Sequence, residues 1–180
     1  SGLPVEREGQ ISGMITSRDM MRYFSEQDIK ATVGDLMTRN ILAVHRHHTI
    51  GHVLEEMNVQ GQSRALVYED SNKPVGIVTR SGLTFSEIMG PKDELENKSI
   101  KMTRKDSAAG RKQNRYVKQV PFVAEDIMTS PIVTIGSETK VVQASQMLVE
   151  KNIIGMPVMD KDEVVGYFSA DEIVTEIARW

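Results

Sequence analysis

Apolar residues in this chain fall into short runs that return three times in one order. Leu3-Pro4-Val5, Ala65-Leu66-Val67 and Met156-Pro157-Val158 are each followed by a glycine, two bulky apolar residues and a hydroxyl: Gly13-Met14-Ile15-Thr16, Gly76-Ile77-Val78-Thr79 and Gly166-Tyr167-Phe168-Ser169. Short apolar runs bounded by turn residues predict buried strands, and three-to-four spacing predicts amphipathic helices. Residues 1–28 accordingly read as strand, turn at Glu8-Gly9-Gln10, strand, then a helix from Ser17 to Phe24. Thr16 or Ser17 is placed to cap that helix, and Met20, Met21 and Phe24 give it an apolar face. This is the rear half of a unit.

The second copy opens with a helical turn at Val33-Gly34-Asp35-Leu36-Met37-Thr38 and continues as a strand from Asn40 to Val44. Thr49 then caps a helix carrying Ile50, Val53, Leu54 and Met57, which Gly61 ends. Paired strands follow at 65–68 and 75–78, with a turn at Asp70-Ser71-Asn72-Lys73 and a closing helix around Gly82 to Met89. The third copy repeats this from Ala124: Asp126-Ile127-Met128-Thr129, a strand at 132–135, and a helix with Val142, Leu148 and Val149 that stops at Asn152. Strands at 156–158 and 164–168 and a helix with Ile173, Val174 and Ile177 complete it. The expected organisation is a rear half at 1–28, repeats at 33–89 and 122–180, and a connector at 90–121.

Composition narrows the class. There is no cysteine, hence no disulfide and no thiolate zinc site. No apolar run approaches the roughly 20 residues that cross a bilayer, and the reading is a cytoplasmic protein without membrane contact. A net charge of −3 does not describe a global nucleic-acid binder, so electrostatic partners must be sought in local patches. The connector is one: Lys98, Lys101, Arg104, Lys105, Arg111, Lys112, Arg115 and Lys118 surround the acid Asp106. A flexible connector is one reading of it. The other is a helix or arm anchored through Ile100, Met102, Tyr116, Val117 and Val120.

The element order, the D-h-M-T opening, the apolar-Pro-Val strand and the G-h-h-S/T-x-x-D signature resemble the cystathionine beta-synthase (CBS) domain. The resemblance covers 33–89 and 124–180 as whole repeats and 1–28 as a rear half. It implies a mixed α/β fold of tandem CBS domains, each strand-helix-strand-strand-helix, packed as a pseudo-twofold pair, the Bateman module. Pairs of modules form disks, so a homodimer is expected. Residues 1–28 then read as the end of an earlier module in a longer protein, a shortened chain, or a segment that packs on the module and completes it.

A hydroxyl at a strand-to-helix junction, beside free helix amides, suits a phosphate, and an acid one turn in suits a ribose diol. Helix capping is the competing role for each of these residues. Carried over by position, the third repeat offers Ser169 with Asp171 and Glu172, the latter at the acid place. The second keeps Thr79 but has Gly82 where the acid belongs, and the first has Thr16 and Asp19. The resemblance also places Thr38, Ile41 and Ala43 with Ser63 and Arg64 in one cleft, and Thr129, Ile132 and Thr134 with Ile154, Gly155 and Pro157 in the other. Apolar walls there would sandwich a purine. His45, His47, His48 and His52 lack a third ligand at defined spacing, and no metal is assigned to them.

No nucleophile elbow, phosphate loop or cysteine nucleophile is present, so no enzyme is read. The expected function is a regulatory module that binds an adenosine-containing ligand (AMP, ADP, ATP or S-adenosylmethionine), requires no cofactor, and passes a conformational change to a partner or attached domain. The alternative is an assembly module whose basic connector binds nucleic acid or an acidic partner; nucleic acid ranks below the adenosyl ligand.

Overall fold

The computed structural model describes residues 2–71, 73–84, 97–105 and 113–180. In chain order its elements are β1 (Gly2–Arg7), β2 (Gln10–Thr16), α1 (Ser17–Ser25), α2 (Val33–Leu36), β3 (Leu42–His45), α3 (Ile50–Val59), β4 (Arg64–Tyr68), β5 (Pro74–Thr79) and α4 (Arg80–Thr84). They continue as β6 (Asn97–Lys105), β7 (Gln113–Pro121), α5 (Ala124–Ile127), β8 (Ile135–Gly136), α6 (Val141–Glu150), β9 (Gly155–Asp160), β10 (Glu163–Ser169) and α7 (Ala170–Ile177). Two compact units result: Ser1–Ile41 with Ile132–Trp180, and Leu42–Pro131. Each is mixed α/β with its own core.

In the first unit β8 runs parallel to β9 and β10 antiparallel to it. Val141, Ala144 and Leu148 of α6, Ile173 of α7, and Met156, Val158 and Phe168 of the sheet form the buried centre. Helix α1 adds Met21 and Phe24 to that centre, as its three-residue apolar spacing requires. The Phe24 ring lies nearly parallel to Trp180, with centroids 5.9 Å apart. Buried Ser145 donates its hydroxyl proton to the Met21 carbonyl at 2.7 Å. The β1–β2 hairpin turns through Glu8 and Gly9, both at positive φ (55° and 78°), the twist that matches flanking strands in a two-residue turn. Helix α2 also belongs here: Val33 is fully buried, and Gly34 N–H donates to the Ser137 carbonyl at 2.8 Å.

In the second unit β3 pairs parallel with β4, and β5 antiparallel with β4. Ile50, Val53 and Met57 line the buried face of α3 against Leu42, Val44, Ala65, Val67 and Val78. Thr49 caps α3 by accepting from the His52 amide, and Gly61 stands just past its end at φ 63°. Helix α5 enters this unit: Ala124 is fully buried, and Ile50 N–H donates to the Phe122 carbonyl at 3.0 Å.

Three expectations change. The connector is neither loose nor helical along its described length: β6 and β7 form a nine-rung antiparallel ribbon from Asn97↔Pro121 to Lys105↔Gln113. Residues 85–96 and 106–112, including the predicted helix end at Met89 and the bases Arg111 and Lys112, lie outside the described residues. The buried face of α6 is Val141, Ala144, Ser145 and Leu148; of the expected residues Leu148 lies in it and Val149 packs against it half-buried, while Val142 does not belong to it. Two residues of that face are small and one is polar, so bulky apolar spacing does not reveal the whole stripe. The strand expected at 132–135 reduces to Ile135 and Gly136, which ladder onto Val158 and Met159.

Candidate functional site

The two D-h-M-T turns are exchanged between repeats. Thr38, from the second repeat, forms an antiparallel bridge with Tyr167 of the third: its N–H donates to the Tyr167 carbonyl at 3.0 Å, and Tyr167 N–H donates back at 2.8 Å. Thr129, from the third repeat, does the same with Ile77 of the second, at 2.9 and 3.2 Å. The cause is steric. A β-carbon on Gly166 would come within 2.9 Å of Met37 Cγ, and one on Gly76 within 2.7 Å of Met128 Cγ. Each motif glycine therefore clears a slot for the other repeat's methionine. The resemblance groups Thr38 with Ser63 and Arg64, and Thr129 with Ile154 and Gly155; the bridges join each threonine to the motif strand of the other repeat. The co-occurrence of D-h-M-T and G-h-h-S/T was the available signal, but it does not say which copy meets which.

The exchange brings Thr38 to the acid of the third repeat. Glu172, half-buried, accepts a hydrogen bond from Thr38 Oγ1 on Oε1 at 2.7 Å. On Oε2 it accepts from Ser169 Oγ at 2.6 Å and Ser169 N–H at 2.8 Å. Ser169 is 1% exposed and its hydroxyl also accepts from the Asp171 amide at 3.2 Å, so it caps α7. Asp171 is exposed beside it. Gly155 lies across the ladder from Ser169, and a β-carbon there would fall 2.6 Å from Ser169 Cβ and 2.8 Å from Tyr167 Oη. Pro157 is buried on the same strand, while Ile132 is half-buried and Thr134 exposed.

In the first copy Asp19 accepts from Thr16 Oγ1 at 2.6 Å and Thr16 N–H at 2.9 Å. These bonds hold the Asp19 carboxyl below its ordinary value, the side-chain bond foremost. Thr16, Ser17, Arg18, Met21 and Ile154 share a cavity of about 340 Å³, so Ile154, 61% exposed, faces the first copy's motif. In the second unit Thr79 Oγ1 accepts from Gly82 N–H at 3.1 Å, again a cap. Ser63 and Ala43 are exposed, Arg64 and Ile41 half-buried.

The histidines meet edge-on, with ring centroids 5.1 Å apart for His45–His47 and 4.7 Å for His48–His52. His45 Nε2 lies 2.9 Å from Asp70 Oδ1. Among the described residues, no group of three or more His, Cys, Asp or Glu is arranged to hold a metal ion, and no helix is long and apolar enough to cross a membrane.

The family model described as "CBS domain" matches residues 33–85 and 123–179, more than half of the chain, and the chain belongs to that family. It is 24% identical to MJ1404 of Methanocaldococcus jannaschii over 176 residues, 97% of this chain and 39% of that protein. Among solved structures, MJ1225 of the same organism superposes with a TM-score of 0.68 at 20% identity, over 98% of this chain and 59% of that one. The CBS domain pair of protein MJ0100, solved with 5′-methylthioadenosine and S-adenosyl-L-methionine, gives 0.59 at 18% identity, over 82% of this chain and 99% of that one. The chain thus spans about two fifths of MJ1404 and three fifths of MJ1225.

Proposed function

We propose that this CBS pair is a regulatory module, not an enzyme, and that its first unit binds an adenosine-containing ligand, an adenine nucleotide or S-adenosylmethionine. The observation that carries the reading is the carboxylate of Glu172, which receives the Thr38 hydroxyl on one oxygen and the Ser169 hydroxyl on the other. A carboxylate engages the vicinal hydroxyls of a ribose through the same bidentate acceptance. A ribose would displace the Thr38 hydroxyl, which is exposed, and leave the buried Ser169 cap in place. The adenosyl ligands of the MJ0100 pair support this ligand class. Residues of the same unit at Ile132, Thr134, Ile154, Gly155 and Asp171 complete the proposed site, and Thr16 with Asp19 form its first-copy counterpart. In the second unit Thr38's counterpart Thr129, with Ala43, Ser63, Arg64 and Thr79, is a weaker cleft because Gly82 supplies no carboxylate. Occupancy would shift the balance between conformers of a partner or attached domain; a homodimer in the cytoplasm is the proposed setting.

Calorimetry with AMP, ADP, ATP and S-adenosylmethionine tests the reading. At least one ligand is expected to bind, with Glu172→Gln weakening it about tenfold or more, the cost of a lost charged hydrogen bond. The 2′-deoxy analogue is expected to weaken by a similar factor. No heat from any ligand at millimolar concentration, or equal binding of the deoxy analogue, refutes it.

A further inference from the structure

The ribbon β6–β7 has a composition the CBS core does not need. Its two strands contain Lys98, Lys101, Arg104, Lys105, Arg115 and Lys118 and no aspartate or glutamate. The chain as a whole carries more acids than bases. Register spreads these cations along the ladder rather than bunching them: Ile100 stands opposite Lys118, Lys101 opposite Val117, Thr103 opposite Arg115 and Arg104 opposite Asn114. At about 3.4 Å per residue the nine rungs extend roughly 30 Å.

The base of the ribbon is fastened to its unit. Lys98 Nζ bonds Asp126 Oδ1 at 2.6 Å, and the chain beyond β7 bonds α3 through the Phe122 carbonyl. Above that base Lys101, Met102, Val117, Lys118 and Gln119 are all exposed. An acid-free two-stranded ribbon, anchored at one end and bearing cations along its length, has the width that the roughly 12 Å major groove of B-form DNA admits. Its charge is set against the regular phosphate array of the duplex.

We propose that β6–β7 is a binding surface for double-stranded DNA, its exposed Lys101 and Lys118 engaging the phosphate backbone together with the further cations that the ribbon's sequence carries. Lys98 is excluded because Asp126 already holds it. The interaction is independent of base sequence and of the adenosyl site.

Fluorescence anisotropy of a labelled blunt duplex with the full chain tests this. With five phosphates neutralised, the affinity falls about 500-fold between about 50 and 200 mM salt, a log–log slope near −4.5. Lys101→Gln/Lys118→Gln, two exposed changes that leave the ladder bonds intact, weakens binding and brings the slope to about −2.7. A variant with Lys30, Lys73 and Lys151 changed to Gln keeps wild-type binding, and a matched RNA duplex, whose narrow major groove excludes the ribbon, binds more weakly. Four results overturn the proposal: no DNA binding at about 50 mM salt, an unchanged slope in the double variant, equal loss in the control variant, or RNA binding as tight as DNA. Matching thermal melts for wild type and the double variant ensure that a loss is read as loss of contact.

Discussion

A single added methyl group at Gly166 has nowhere to go, because Met37 of the other repeat fills the space beside it. Gly76 meets Met128 in the same way, whereas a β-carbon at Gly13, the equivalent position of the first copy, would find nothing within 4 Å. None of these three glycines has a positive φ, so steric room and not backbone freedom sets the cost. Overpacking a filled site typically costs about 1–3 kcal/mol. Gly166→Ala and Gly76→Ala are therefore each expected to lower stability by about that amount, while Gly13→Ala stays within about 0.5 kcal/mol of wild type. Urea midpoints measure all three, and in a Met37→Ala background Gly166→Ala should cost less than it does in the wild type. If Gly166→Ala costs no more than Gly13→Ala, the slot-and-methionine account is wrong. The glycine was legible in the sequence as a fixed place in the repeated motif. What approaches it was not, since Met37 and Gly166 are brought together only by tertiary structure.

At the start of α3 the histidine cluster ties an element to pH. His45 N–H donates to His48 Nδ1 at 3.3 Å, so the bond requires that nitrogen to be unprotonated. His48 is held below its ordinary value of 6.5, first by burial, then by the neighbouring His52 and His45, with Glu56 opposing. The groups facing the cluster are Asp70 on His45, at 2.9 Å, and Glu125 on His47, at 3.8 Å. A base whose folded value is depressed takes up its proton more readily when unfolded, so stability is full above about 6.5 and declines as pH falls from there toward the lower folded value. Chemical denaturation at successive pH values is expected to show that decline, and His48→Gln to flatten it; an equally steep decline in the variant would exclude His48 as its source. The cap at Thr49, the stop at Gly61 and the paired strands of α3's repeat were all readable, because each is a local rule of spacing or side-chain type. Only part of the buried face of α6 was readable, Leu148 and the half-buried Val149, since Ala144 and Ser145 carry no hydrophobic signal. The ribbon was missed because its cations mask the period-two alternation that marks a strand.

In the whole molecule the sequence repeats and the structural units do not coincide. Residues 1–41 join residues 132–180, so the core around α6 and α7 draws Met21 and Phe24 from the first copy and Val33 and Met37 from the second. Repeat periodicity finds contiguous stretches, and an exchange of opening turns leaves that periodicity untouched, which is why the family was legible and the division was not. The energetic consequence is large. Those four side chains are at most 9% exposed, and losing a buried aromatic or aliphatic group costs about 2–5 kcal/mol against a total stability of about 5–15 kcal/mol. A fragment of residues 122–180, although it contains a whole CBS repeat, is therefore expected to show no cooperative thermal transition by circular dichroism. Adding a peptide of residues 1–41 should restore one in a concentration-dependent way, since it binds the folded form alone. Cooperative unfolding of 122–180 by itself, at the midpoint of the full chain, would mean that the third repeat is self-sufficient and that the borrowed residues contribute little to its core.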